Sequence, residues 1–172
     1  MPGPIRIVPF AVGHADDVVA LILTIQQAEF GIPITLQAQP DLLDIAGFYR
    51  RGDGNFWVAL DGARVVGTAA LLDIGQRQAA LRKMFVAASH RGGGRGVAPS
   101  LLAALLAWAR QRAVRQLFLG TTAQFVAAHR FYEKHGFREV ALPDLPPTFP
   151  VMSVDTKFYM LALAPETAQV SP

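Results

Sequence analysis

The chain has 172 residues, 52% of them hydrophobic and 17% charged, with a formal net charge of +3. That composition belongs to a folded domain rather than a disordered tail, and the length fits a single domain, 1–172, with a core over about 5–163 and a tail at 164–172. There is no cysteine, which excludes a disulfide framework, thiolate metal sites and a cysteine nucleophile. Met1-Pro2-Gly3-Pro4 carries no charged segment ahead of an apolar block, so no signal peptide is expected, and the cytoplasm is the expected location. Ile5 to Phe10 alternates as a strand does. Asp16 and Asp17 open a helix whose apolar positions Val18, Leu21, Ile22 and Ile25 keep helical spacing, and Gly31 and Pro33 end it. A second, short helix is expected from Pro40-Asp41 to Tyr49. Asn55–Leu60 and Arg64–Asp73 read as strands joined by an Asp61-Gly62 hairpin turn. Leu81–Val86 is a further strand.

Next comes Arg91-Gly92-Gly93-Gly94-Arg95-Gly96, and then a leucine–alanine helix over 97–113. Pro99 and Ser100 interrupt its apolar run and arginines end it, so no membrane-spanning helix is expected. A strand that turns through glycines into a helix presents backbone N–H groups at the positive end of a helix dipole, an arrangement that binds phosphate or pyrophosphate. Glycines let the main chain approach an anion closely, and Arg91 and Arg95 add charge-assisted donors. The alternative is a plain surface turn. No Gly-Lys-Ser/Thr follows, which excludes a nucleoside-triphosphate loop. Gln116–Thr121 is then a strand, and Thr121 or Thr122 is placed to cap a helix running to His135. Gly136 fits the left-handed residue after that helix. Phe137–Leu142 and Lys157–Leu163 are the last strands, with a proline-rich loop, Pro143–Pro150, between them. The order is strand, two helices, three strands, helix, strand, helix, two strands. That is a mixed α/β sheet of about seven strands with about four helices on its faces, and not the strict alternation of a doubly wound dinucleotide fold.

Two blocks in this order carry a resemblance. Val86-Ala87-Ala88-Ser89-His90-Arg91-Gly92-Gly93-Gly94-Arg95-Gly96 ends a strand with Arg-x-x-Gly-x-Gly. Ala128-His129-Arg130-Phe131-Tyr132-Glu133-Lys134-His135-Gly136-Phe137 fits Ala-x-x-Phe-Tyr-x-x-x-Gly-Phe. Together they resemble the two signature motifs of the GNAT N-acetyltransferase superfamily, over roughly residues 5–163. The resemblance implies a mostly antiparallel sheet and an acetyl-coenzyme A-dependent N-acetyltransferase, with direct attack of an amine on the thioester. It implies that the backbone of Met84, Phe85 and Val86 pairs with the pantetheine arm. It implies that Arg91, Gly92, Gly93, Gly94, Arg95, Gly96 and Val97 hold the pyrophosphate, and that Tyr132 is the acid that protonates the departing thiolate. No metal is implied. One position departs from the pattern: Phe125 stands where relatives often carry an asparagine against the pantetheine arm, with Gln124 or Thr122 as possible replacements.

The base is open between Glu29 and Asp73, for both of which surface solvation is the ordinary reading. His90 reads as a cofactor neighbour or an exposed side chain, and His14, His129 and His135 have no partners at metal-ligand spacing. In relatives the segments Gly31–Gln39 and Asp41–Tyr49 shape the acceptor pocket, and Pro143–Pro150 is placed to close its other side. Ile32, Pro33, Ile34, Leu36, Leu42 and Leu43 hint at an apolar pocket. The missing acidic cluster argues against a polycationic acceptor, leaving a small amine, an amino-acid derivative or a protein amino group. A non-catalytic acyl-coenzyme A sensor is the alternative. A nucleic-acid module is disfavoured because the arginines are scattered rather than blocked. A homodimer through edge strands is a further expectation.

Overall fold

Alternating side chains in Ile5–Pro9 make the first strand, β1, which lies antiparallel to β2 (Asn55–Asp61). In the computed structural model, which describes residues 3–92 and 94–164, β2 turns through Gly62 into β3 (Arg64–Gly75), and β3 returns as β4 (Gln78–Val86). β5 (Gln116–Thr121), β6 (Arg138–Val140) and β7 (Lys157–Ala162) complete a seven-stranded sheet in the order β1-β2-β3-β4-β5-β7-β6. Every pairing is antiparallel except β4 with β5.

Four α-helices cover the sheet: α1 (Ala15–Leu23), α2 (Ile45–Tyr49), α3 (Val97–Gln111) and α4 (Val126–Lys134). Val18 and Ile22 of α1 and Ile45 and Tyr49 of α2 bury against Phe56, Val58 and Ala70 on one face. Leu101, Leu102 and Leu105 of α3 and Tyr132 of α4 pack on the other, against Ala59, Leu71 and Leu81. Gly67 of β3 lies under α3: a Cβ there would stand 3.0 Å from Leu101 Cδ1 and 3.1 Å from Val97 Cγ1.

Three elements differ from their sequence reading. α1 stops before Gly31 as read, but its last stretch, Thr24–Glu29, is a π-helical turn. The expected helix from Pro40 to Tyr49 is broken at Asp44, whose extended backbone separates a 3-10 turn, Pro40–Leu43, from α2. There Asp44 caps α2 by accepting from Gly47 N–H, since an aspartate at that place satisfies a helix-end donor better than the helix interior can use it. Thr122 does not cap α4. The end of α4 follows its reading: Gly136 has φ +92°, and Phe137 N–H donates to Tyr132 O in a Schellman closure.

Candidate active site

The sheet is split at its one parallel junction. β4 and β5 pair only at Gln78↔Gln116, Ala79↔Leu117 and Ala80↔Phe118. Beyond that the two strands diverge. β4 stays paired to β3 as far as Val86, and β5 to β7 as far as Thr121. A cavity of about 810 Å³ occupies the wedge. Its walls include Ile25 and Ile34 from the α1–α2 face and Val97, Phe131 and Tyr132 from the α3–α4 face, so it passes through the sheet.

At one end lies the glycine loop. Gly92, Gly94 and Gly96 have φ of +62°, +77° and +66°, a left-handed backbone that favours glycine. Gly96 is the N-cap of α3, and the helix ladder starts with Ser100 N–H donating to Gly96 O. Among the described residues no acceptor takes the N–H groups of 94–98, which is the donor set an anion needs. Pro99 has none to offer and sits in the first turn, where that loss is small. Gly93 lies outside the described residues. The arginines, expected as phosphate ligands, both pair with carboxylates here, and Arg91 also lines the cavity. Arg91 donates from Nε to Val86 O at 2.8 Å, pairs with Glu29 through both Nη atoms, and stacks 5.6 Å from the Phe30 ring. Arg95 contacts Asp61 at 3.5 Å and donates to Gly3 O at 3.0 Å. Both brace the loop through neighbouring carboxylates.

Met84, Phe85, Val86 and Thr122 line the middle of the cavity. The departure at Phe125 is an aromatic bridge across the split, its ring 4.9 Å from Phe30 and 5.9 Å from Phe85. Thr122 is buried at the end of β5, and its Oγ1 has no partner among the described residues. His129 fixes that turn by donating from Nε2 to Thr122 O at 2.9 Å. An orphaned hydroxyl in a pocket wall is costly unless a ligand meets it, so wedge, glycine loop and Thr122 together fit a long, polar-linked acyl carrier such as acyl-coenzyme A. Tyr132 is packed among Phe131, Phe137 and Tyr159 with ring separations of 5.5–5.9 Å. Among the described residues its hydroxyl has no hydrogen-bond partner. Burial raises its pKa well above the usual phenol value, so it stays protonated.

The opposite end is polar, and little in the sequence analysis pointed to it. Two residues of β4, Lys83 and Met84, lie between the Thr68↔Phe85 and Ala70↔Arg82 pairs, opposite Ala69 alone, and Lys83 takes φ +53°. This bulge, tied by Thr68 Oγ1 donating to Lys83 O at 2.6 Å, aims two successive cations to the same side. Lys83 Nζ donates to Gln39 Oε1 and lies 3.6 Å from Asp41 Oδ2, which also accepts from Tyr49 Oη. Burial lowers the Lys83 pKa to about 8, against the pull of Asp41. Gln26 and Gln39 exchange amide bonds at 2.9 and 3.0 Å, fastening the 30–44 segment to the end of α1. Asp155, before β7, lies over Gly120 of β5, and burial raises its pKa above the ordinary carboxylate range. The signal for this end was Arg82-Lys83 inside an otherwise apolar strand, where strict alternation would have sent the two charges to opposite faces.

The two carboxylates offered as bases are elsewhere. Glu29 is consumed by Arg91, and Asp73 accepts from Asp53 and Gly75 N–H in turns away from the cavity. His90, read as a cofactor neighbour or an exposed side chain, is buried between Ser89 and Asp61, with Nε2 2.8 Å from Asp61 Oδ2. His14 and His135 bond local backbone. Among the described residues no three His, Cys, Asp or Glu cluster as a metal site would require. Ile34 lines the cavity as the apolar-pocket reading requires, whereas Leu43 points out at 64% exposure. The proline-rich loop contributes Phe149 and Pro150 to the far wall.

Residues 20–137 match the family model described as the Acetyltransferase (GNAT) family. An acetyltransferase of that family from Staphylococcus aureus Mu50 superposes with a TM-score of 0.90 at 34% identity, covering 93% of this chain and 99% of that one. N-acetyltransferase family 8 member 2 of Rattus norvegicus is 34% identical over 106 residues, 59% of this chain and 46% of its own length. N-acetylaspartate synthetase of Xenopus tropicalis is 36% identical over 104 residues, 59% of this chain and 38% of its own. The chain thus spans less than half the length of these two curated relatives.

Proposed function

The chain belongs to the GNAT acetyltransferase family, and from that premise we propose that it moves an acetyl group from acetyl-coenzyme A to a primary amine by direct attack, with no covalent enzyme intermediate. The observation that carries this reading is the wedge between β4 and β5, with the glycine loop at one end and Tyr132 among the residues that line it. Acetyl-coenzyme A supplies the activated thioester. The N–H groups of 94–98 hold the pyrophosphate against the dipole of α3. The main chain of Met84, Phe85 and Val86 extends along the pantetheine arm as an added strand would, and Thr122 Oγ1 meets a polar group of that arm. An N–H at Phe85 or Val86 donates to the carbonyl oxygen as charge builds there. The amine attacks as the neutral base, having lost one proton to solvent; as the N–C bond forms and the C–S bond breaks, the Tyr132 phenol gives its proton to the departing sulfur, the second proton of the nitrogen passes to water, and solvent returns a proton to Tyr132. On this reading the donor lies toward the α3–α4 face and the amine toward the α1–α2 face.

Thiol release from acetyl-coenzyme A, measured over simple amines, amino acids and peptides, tests this. Amine-dependent release is expected. Tight acyl-coenzyme A binding with no release on any amine establishes the sensor alternative instead.

A further inference from the structure

The acceptor end of the cavity holds two charges of opposite sign that the fold keeps apart: Arg82, with one long ion pair to Asp41, and Asp155, with none among the described residues. Arg82 has 11% of its side chain exposed, and its guanidinium lies 5.7 Å from the Phe48 ring and 5.9 Å from the Tyr49 ring. A guanidinium carries five donors. Among the described residues this one makes a single hydrogen bond, from Nη2 to the thioether Sδ of Met152 at 3.4 Å. The nearest carboxylate, Asp41, is 3.9 Å away, beyond hydrogen-bond reach, and is already engaged by Tyr49 Oη and by Lys83 at 3.6 Å. Stacking on aromatic rings holds the planar fork in place without using its edge, which is how an arginine is prepared for a carboxylate.

Across the split sits Asp155. Its Oδ2 accepts from Met152 N–H at 2.9 Å, and among the described residues no donor reaches Oδ1 and no cation lies within salt-bridge distance. Its place over β5 depends on Gly120, where a Cβ would fall 2.6 Å from Asp155 Oδ2. Arg82 and Asp155 line the same cavity from its two arms and do not touch, yet Arg82 is near enough to favour the ionised form of Asp155. A half-buried arginine and a half-buried carboxylate left apart in one pocket are complementary to a ligand that carries both opposite charges close together.

We infer that the acceptor is a free α-amino acid, its carboxylate taken by the Arg82 guanidinium and its ammonium by Asp155 Oδ1. An α-amino acid bears both groups on one carbon, so it spans the gap as one rigid unit. Lys83 does not serve as the anchor, because Gln39 and Asp41 already hold it. The apolar walls, Ile25, Ile34 and Phe149, receive the side chain. The inference rests on the acetyl-transfer reading and narrows its acceptor.

The test compares L-methionine, L-phenylalanine and L-aspartate with their α-carboxamides, which keep the amine and lose the anion, as acceptors for thiol release. At least one free acid is expected to exceed its amide in kcat/KM by about 100-fold. Arg82→Gln is expected to remove that preference, lowering turnover of the acid by about 100-fold and of the amide little. Arg82→Lys, which keeps the charge and loses the fork, is expected to fall between. Asp155→Asn is expected to raise KM for acid and amide alike. Amides equal to acids with the unmodified enzyme, or an Arg82→Gln loss shared equally by both, overturns the inference. Should no amine drive thiol release, calorimetric titration of the same acids and amides into the coenzyme A-loaded protein separates the two readings. Binding of acids alone then upholds the anchor while acetyl transfer fails, and equal or absent binding overturns the anchor as well.

Discussion

Tyr132 is the residue on which the proposed chemistry turns. Burial among three aromatic rings holds it in one place and keeps its phenol protonated. Its hydroxyl bonds nothing in the described protein, so removing it breaks no internal contact. Tyr132→Phe is therefore expected to leave thermal stability nearly unchanged and the KM for acetyl-coenzyme A intact, while kcat falls by about 10²–10³. Because the folded pKa is raised, wild-type kcat is expected to show no alkaline decline from this group below about pH 10. Steady-state kinetics of both proteins from pH 6 to 10 checks this, and equal kcat at every pH removes Tyr132 from the mechanism. The residue was legible only through the resemblance, because Phe131-Tyr132 falls in the motif that ends at Gly136-Phe137. Its packing could not be read, since Phe137 and Tyr159 reach it from other elements.

At the scale of elements, the site exists because α3 lies close enough to β3 to hold its N-terminus at the mouth of the split. Gly67 permits that approach, with Leu101 and Val97 of α3 already at 3.0 and 3.1 Å from where a Cβ would be. Gly67→Val is expected to push α3 off the sheet and to lower unfolding free energy by about 1–3 kcal/mol, the range for overpacking a filled core. Affinity for coenzyme A is expected to fall with it, because the loop N–H groups move with the helix. Urea unfolding and calorimetric binding read the two effects, and a variant with normal stability and binding shows that α3 does not depend on this contact. The glycine loop could be recognised from the strand before it and the helix after it. The fate of its arginines could not, since Glu29 and Asp61 come from 62 and 34 positions away.

Over the whole molecule, the buried polar end of the cavity makes stability depend on pH. Lys83 has its pKa lowered to about 8 in the folded protein, against 10.5 for an ordinary lysine. Between those values the unfolded chain binds more protons than the folded one, so stability rises with pH. Below pH 8 both states are protonated, and the cost of the buried ammonium is fully present. Tyr49, raised by burial and Asp41, works the other way, but only above about pH 10. Asp155, also raised, lowers stability as pH rises through the acid range, where Lys83 is silent. The unliganded protein is thus expected to gain about 1–2 kcal/mol from pH 8 to 9.5, within the limit of about 1.4 kcal/mol per pH unit for one group. Lys83→Met is expected to abolish that rise. Urea midpoints at pH 7.5, 8.5 and 9.5 decide it, and a parallel rise in both proteins assigns the effect to another group.

The sequence by itself determined the element order, the strand–glycine–helix turn and the stop of α4 at Gly136, because each depends on neighbours within a few residues: periodicity, caps and glycine conformation. The part proposed for Tyr132 came from the family resemblance. It could not determine what the split between β4 and β5 brings together. Arg82 and Lys83 face one way only because a bulge interrupts the pleat. Asp155 meets them only because β7 folds back beside β5, 73 positions beyond Arg82 in the chain. Such long-range juxtaposition of charge leaves no local pattern, so the glycine turn proposed for the donor could be read in the chain, while the charged end proposed for the acceptor was decided by tertiary structure.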